Sequence, residues 1–221
     1  MDGTATGMGA ADRDRLRQTQ AFFAGRAATW DAKFGDDLPA YAAAVAEAGL
    51  APGAVVADLG CGTGRALPAL RAAVGPTGTV LALDATPEML HAAAGHSTRC
   101  RAALILADAL RLPLGAASLG GIFAAGLLMH LPDPVDALTE MARVTSGSGV
   151  LILFHPSGRA ALAARHGRDL SPDDTLACTV LTRLLAATGW RLRTYDDSAH
   201  RFFAVAQRIL PGHGAGVVDE R

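Results

Sequence analysis

The chain is poor in lysine, cysteine and aromatic residues, and it has no long apolar run. Of its 20 basic residues only Lys33 is a lysine, and acids and bases mix along the chain to a formal net charge of −1. A nucleic-acid footprint needs a clustered basic surface, so a nucleic-acid partner is not expected. No stretch reaches the roughly 18–20 apolar residues that cross a bilayer. The start, Met1 to Asp12, is small and polar without an apolar signal core. Both absences point to a cytoplasmic chain with no membrane partner. Three cysteines (Cys61, Cys100, Cys178) are odd in number and lack C-x-x-C spacing, so neither a disulfide framework nor a metal site is expected. The arginine-rich and alanine-rich usage reads as a GC-rich bacterial coding background rather than a functional device.

What is present is apolar bulk in an ordered arrangement. At 221 residues, half of them hydrophobic, the chain is long enough for one well-buried domain and short for two. Residues 1–10 and 211–221 read as flexible ends. Between them, strand-like runs at Val55–Leu59, Val80–Leu83, Ala103–Ala107, Leu119–Ala125 and Val150–His155 alternate with helical segments. That alternation predicts a doubly wound α/β fold, a parallel sheet covered on both faces. The last two runs, Arg191–Tyr195 and Arg201–Ala206, are too close for a crossover and can pair only antiparallel. Helix starts are expected at Thr86-Pro87-Glu88, Asp133-Pro134 and Ser171-Pro172-Asp173-Asp174, each a capping side chain before a proline, with stops at Gly95 and Gly189.

The densest signal is Val55-Val56-Ala57-Asp58-Leu59-Gly60-Cys61-Gly62-Thr63-Gly64, followed by Val80-Leu81-Ala82-Leu83-Asp84. Glycine is needed where the backbone turns with φ > 0 or a ligand approaches without meeting a Cβ. A helix opening there aims free N–H groups at an anionic part of the ligand. A carboxylate closing the next parallel strand can accept from ribose hydroxyls. Dinucleotide loops read G-x-G-x-x-G, but here Gly60, Gly62 and Gly64 alternate behind Asp58. Asp58 would repel a pyrophosphate and suits an ammonium group. The pattern predicts a cofactor with amino, carboxylate and ribose groups and no phosphate, which disfavours nicotinamide chemistry. Cys61, inside the loop, is read as packing rather than as a nucleophile.

This stretch resembles motif I of class I S-adenosylmethionine-dependent methyltransferases, and the resemblance extends over roughly residues 50–210. It implies a Rossmann-like seven-stranded sheet of order 3-2-1-4-5-7-6, with S-adenosylmethionine beside the first strand. Asp84-Ala85-Thr86 resembles the second motif: Asp84 would hold the ribose and Ala85 the adenine face. Leu106-Ala107-Asp108-Ala109 resembles the third, with Asp108 and the Ala109 N–H on the adenine edge. The stretch Gly126 to Pro134, with His130-Leu131-Pro132-Asp133, resembles small-molecule and quinone-type members, and the Gly126 carbonyl would reach the cofactor's amino group. Leu119-Gly120 departs from the family's usual Phe-Asp, and Ser146-Gly147-Ser148-Gly149 replaces its usual turn. Residues 11–49 read as a helical N-terminal lid in which Trp30 supplies a wall and Arg26 contacts the methionine carboxylate, with Tyr41 completing the lid.

A sulfonium cofactor carries an activated methyl group, so the protein needs to align a nucleophile, exclude water and, for hydroxyl or ammonium acceptors, supply a base. His155 and His130, at the ends of the fifth and fourth strand candidates, are the candidate bases because imidazole titrates near neutrality. Arg159, Arg165, His166 and Arg168 add positive charge to the loop after His155, which could greet an acidic substrate but is read mainly as a solvated helix face. The expected activity is methyl transfer to O, N or C of a small molecule, such as a bacterial specialised metabolite, by a monomer or homodimer. The alternative is a fold relative that keeps the cofactor site and acts as a cyclase, an isomerase or a ligand-binding regulator.

Overall fold

The computed structural model describes residues 10–34 and 37–210, so the ends expected to be flexible lie outside the described residues, apart from Ala10. Seven strands, β1 (Val55–Leu59), β2 (Thr79–Asp84), β3 (Ala102–Leu106), β4 (Leu119–Ala125), β5 (Thr145–His155), β6 (Trp190–Ser198) and β7 (Arg201–Arg208), form one sheet. Their order is β3-β2-β1-β4-β5-β7-β6. The pairings among β1 to β5 are parallel, and β7 runs antiparallel to both β5 and β6. The sheet therefore has the predicted order and the predicted closing hairpin.

Three helices precede the sheet: α1 (Ala10–Ala24), α2 (Trp30–Phe34) and α3 (Leu38–Ala48). The crossovers carry α4 (Leu67–Val74), α5 (Pro87–Cys100) and α6 (Pro134–Val144), while α7 (Arg159–Arg165) and α8 (Cys178–Ala187) lie between β5 and β6. Because side chains alternate across a strand, β1 feeds two cores. Val56 joins Val45, Leu67 and Leu70 on one face, and Ala57 and Leu59 join Leu138, Met141 and Leu181 on the other. Trp190 is fully buried in the second core, and its Nε1–H donates to the Leu138 carbonyl at 3.0 Å, so its polar edge is satisfied.

Local expectations fared unevenly. Asp133 caps α6, accepting from the N–H groups of Val135 (2.8 Å) and Asp136 (3.0 Å). Thr86 precedes α5 as expected, but its hydroxyl makes no cap; the Thr86 N–H donates instead to Asp84. Gly95 lies inside α5, which ends at Arg101 in the left-handed region (φ 51°). No helix opens at Ser171: its hydroxyl accepts from the Asp173 N–H, Asp174 accepts from the Leu176 N–H, and α8 begins at Cys178. Short polar side chains bond nearby N–H groups in turns as readily as at caps, so the pattern alone did not decide between them. The expected turn at Ser146–Gly149 lies within the span of β5. Leu119 pairs with Thr145 and Gly121 with Val150, so β5 advances five residues against two on β4 and the extra residues bulge outward.

Candidate active site

A cavity of about 990 Å³ opens at the C-terminal ends of the parallel strands, as expected for an open α/β sheet. Leu16, Thr19, Phe22 and Phe23 of α1 line its opposite wall. The N-terminal helices are fastened to the sheet rather than merely resting on it. Gln20 Nε2 donates to the Ala85 carbonyl at 2.7 Å, and the Thr63 hydroxyl donates to Asp31 at 2.6 Å. Arg65, nearly buried, donates to Asp37 through Nε at 2.8 Å and Nη2, and to Asp31 through Nη1 at 3.0 Å. The sequence reading missed this clamp. Its one local sign is an arginine directly after the glycine loop and directly before the apolar helix start Ala66-Leu67.

The glycine loop is shaped from below by β2: the N–H groups of Gly60 and Cys61 both donate to the Leu83 carbonyl, at 2.8 and 3.0 Å. Gly64 closes the turn by donating to Cys61, and α4 starts at Leu67. Gly60 has φ 66°, and a Cβ there would stand 2.9 Å from Leu127. Gly62, at φ 53°, faces open space. Cys61 is buried, which pushes its thiol pKa well up and leaves it inert as a nucleophile.

Three carboxylates stand at or near the strand tips. Asp58 is 2% exposed, and its Oδ2 has no hydrogen-bond partner among the described residues. Burial first, and the neighbouring charge of Asp84 second, push its pKa up to about 8. Asp84 accepts from the N–H of Gly62 through Oδ2 (2.9 Å) and of Thr86 through Oδ1 (2.8 Å). Desolvation nevertheless raises its pKa against those bonds. Asp108 accepts from the Leu110 N–H at 2.9 Å, a local turn that holds its carboxylate at the pocket wall with Ala109 beside it.

Beyond β4 the wall changes character. The Gly126 N–H donates to the Phe154 carbonyl at 2.8 Å, and a Cβ on Gly126 would lie 3.6 Å from the His155 ring. His155 Nδ1 sits 2.9 Å from the Ser157 carbonyl and 3.1 Å from the Ser157 N–H. In the tautomer that donates to that carbonyl, Nε2 keeps its lone pair. His130 lines the pocket and packs edge-to-face on Phe23 at 5.2 Å. Desolvation is the main cause that lowers both imidazole pKa values, so both rings are neutral at pH 7. Trp30 lines the cavity 5.6 Å from Phe23. Arg26 lines it too, but its guanidinium lies over the Phe22 ring at 3.7 Å and donates to the Phe22 carbonyl. Tyr41 lines the cavity and packs edge-on against Phe154 at 5.0 Å. The pocket thus gathers the candidate site residues of the sequence, together with Arg65, which was not among them; the exception is Gly64, which does not line it and instead faces Leu67, Ala93 and His96.

Residues 57–153 match the methyltransferase-domain family. That stretch is a methyltransferase domain. A 37.1 kDa uncharacterized protein in transposon TN4556 of Streptomyces fradiae is 36% identical over 106 residues, 48% of this chain and 31% of that protein. The demethylmenaquinone methyltransferase of Staphylococcus aureus is 33% identical over 110 residues, 49% of this chain and 46% of that enzyme. The methyltransferase domain therefore aligns over less than half the length of these curated relatives. The crystal structure of a SAM-dependent methyltransferase from Aquifex aeolicus superposes with a TM-score of 0.64 at 23% identity, over 76% of this chain and 89% of that one, and shares the fold.

The cofactor of this family is S-adenosylmethionine, and the residues of the methyltransferase domain fit it. The orphaned Oδ2 of Asp58 is a buried acceptor that an ammonium donor would satisfy. The open side of Gly62 leaves room where a Cβ would intrude. Asp84 and Asp108 line the same pocket as further acceptors. Among the described residues no three His, Cys, Asp or Glu side chains cluster as a metal site, and no helix is long and apolar enough to cross a membrane.

Proposed function

We propose that the chain transfers a methyl group from S-adenosylmethionine to an O, N or C atom of a small molecule in the cytoplasm. The observation that carries this reading is Asp58: a carboxylate buried with one oxygen unpartnered, in a pocket that Asp84 and Asp108 also line. When bound, S-adenosylmethionine supplies a methyl group already activated on a sulfonium. Asp58 would hold the amino group, Asp84 the ribose, and Asp108 and Ala109 the adenine; Gly60 and Gly62 would let the loop backbone close on the ligand, and Gly64 lets the loop pack against α5. Trp30, with Phe23 behind it, excludes water from the mouth. His155, neutral and fixed at Nδ1, takes a proton from the acceptor at Nε2, and His130 lines the acceptor's other side. Residues 11–49 act as the lid and 50–210 as the methyltransferase domain.

Incubation with methyl-labelled cofactor and a panel of acceptors tests the reaction, since methyl transfer accumulates S-adenosylhomocysteine. Binding without that product would favour a cyclase, an isomerase or a regulator on the same site. Asp84→Ala tests the site itself. It removes the acceptor that holds the Gly62 and Thr86 N–H groups, and S-adenosylhomocysteine affinity by calorimetry should fall at least about tenfold. Unchanged affinity would remove the assignment.

A further inference from the structure

Charges of both signs line the pocket. Asp58, Asp84 and Asp108 stand on the β1–β3 side together with Arg65, while His130, His155, Arg165, His166 and Arg168 stand beyond β4 and β5 together with Asp169, Asp173 and Asp174. The arginines of this second side are not equivalent. Arg159 is held by carboxylates: it pairs with Asp197 at 3.3 Å and Asp174 at 3.5 Å and donates to the Ser171 carbonyl, although its buried Nε has no hydrogen-bond partner among the described residues. Arg168 is exposed at the rim, as are Asp169 and Asp173.

Arg165 is exposed as well, but its guanidinium is anchored to a buried side chain. A cation in the last turn of α7 is favoured by the helix dipole alone, and a purely structural arginine would reach for the final carbonyls. This one turns back toward the start of the helix, where Nη2 donates to the Ser157 hydroxyl at 3.0 Å. Ser157 is buried, and its backbone N–H meets His155 Nδ1 at 3.1 Å. The guanidinium is therefore held on the same short segment that orients the imidazole. Among the described residues no carboxylate lies within ion-pair distance of it, and the bond to Ser157 uses only one donor of its planar fork. A fixed guanidinium with free donors, opening on a cavity beside a neutral imidazole, is matched by a carboxylate, which it can bind with paired hydrogen bonds.

We infer that Arg165 determines acceptor specificity by pairing with a carboxylate carried near the atom to be methylated, so that the acceptors of this domain are small organic acids. The inference rests on the methyl-transfer reading of the pocket. In the seated acceptor, the carboxylate on Arg165 brings the neighbouring hydroxyl or amine toward His155 and leaves the Asp58–Asp84–Asp108 side to the cofactor.

Calorimetry on the chain saturated with S-adenosylhomocysteine tests this, using hydroxybenzoic acids against the matching hydroxybenzamides, which keep the shape and lose the charge. The acids should bind at least about tenfold more tightly than the amides. Arg165→Gln should remove that preference, and Arg165→Lys should restore part of it, with S-adenosylhomocysteine affinity the same in all three proteins. Equal binding of acid and amide, no binding of any acid, or a preference that survives Arg165→Gln overturns the inference. Failure of S-adenosylhomocysteine itself to bind the unaltered chain removes the methyl-transfer reading and, with it, this one.

Discussion

The two ends of the pocket are built by different means. At the tips of β1 to β3 the carboxylates lie in or just after strands, and the main chain holds two of them: Asp84 by Gly62 and Thr86, Asp108 by Leu110. At the tips of β4 and β5 the Ser157 main chain holds His155, but the guanidinium beside it is placed by a bond between side chains, Arg165 to the Ser157 hydroxyl. Backbone-held groups follow from a short stretch of sequence. Side-chain relays depend on where a neighbouring helix happens to return. The first end can thus be specified by a motif, whereas the second is free to vary with the loop that builds it.

The division is broken most severely at His155. His155→Gln keeps the size and loses the base, so kcat should fall on the order of a hundredfold while S-adenosylhomocysteine affinity holds. Equal loss in both would erase the distinction between the two ends. Burial foremost, then the charges of Arg165 and His166, hold the His155 pKa below its ordinary 6.5, against its bond to Ser157 and the charge of Asp37. The neutral base therefore persists below pH 6.5, and the acid limb of kcat should lie under that value and vanish in His155→Gln.

Arg65→Ala is the next test, because Arg65 ties the N-terminal helices to the cofactor end. Its side chain is 7% exposed and that of Asp37 16%, but Asp31 is 50% exposed. The loss in a denaturant titration should be about 2 kcal/mol, below the range for a fully buried pair. Arg165→Gln, at the acceptor end, should shift stability by no more than about 0.5 kcal/mol. Equal costs would mean that the two ends share one scaffold.

The smallest effect concerns Asp58. Its folded pKa of about 8 is raised above the ordinary 3.8, so the chain takes up a proton on folding between those values. The stability linked to that proton is present at low pH and is lost as pH rises through about 8. Because an ammonium ligand requires the ionised form, S-adenosylhomocysteine affinity should rise about fivefold from pH 7 to pH 8. Asp58→Asn should flatten both dependences. A flat affinity in the unaltered chain would separate Asp58 from the amino group.

Legibility followed the same division. β1 and β4 have the bounds read from their apolar runs, and the closing hairpin followed from the length of its connection, since Ser198 and Arg201 leave two residues between strands. Asp133 could be read as a cap because an apolar helical face follows it at once. Ser171 could not be separated from a cap, because the same side-chain bonds also build turns. The bulge in β5 was hidden because its register depends on β4, a different part of the chain. Arg65 stayed hidden for the same reason: its partners, Asp31 and Asp37, are 34 and 28 residues away. Arg165 was visible as a charge, but which way it turned was not.

The sequence by itself determined the class of fold, the strand that carries the glycine loop and the three acids of the cofactor end. Each of these is a local matter of periodicity, φ > 0 and a side chain at a strand tip. Only the tertiary structure decided that Asp58 keeps an unpartnered oxygen, that Arg65 clamps the N-terminal helices, and that Arg165 leans on Ser157 beside His155. Those facts depend on desolvation and on contacts between elements distant in the chain, and both arise only when the elements pack.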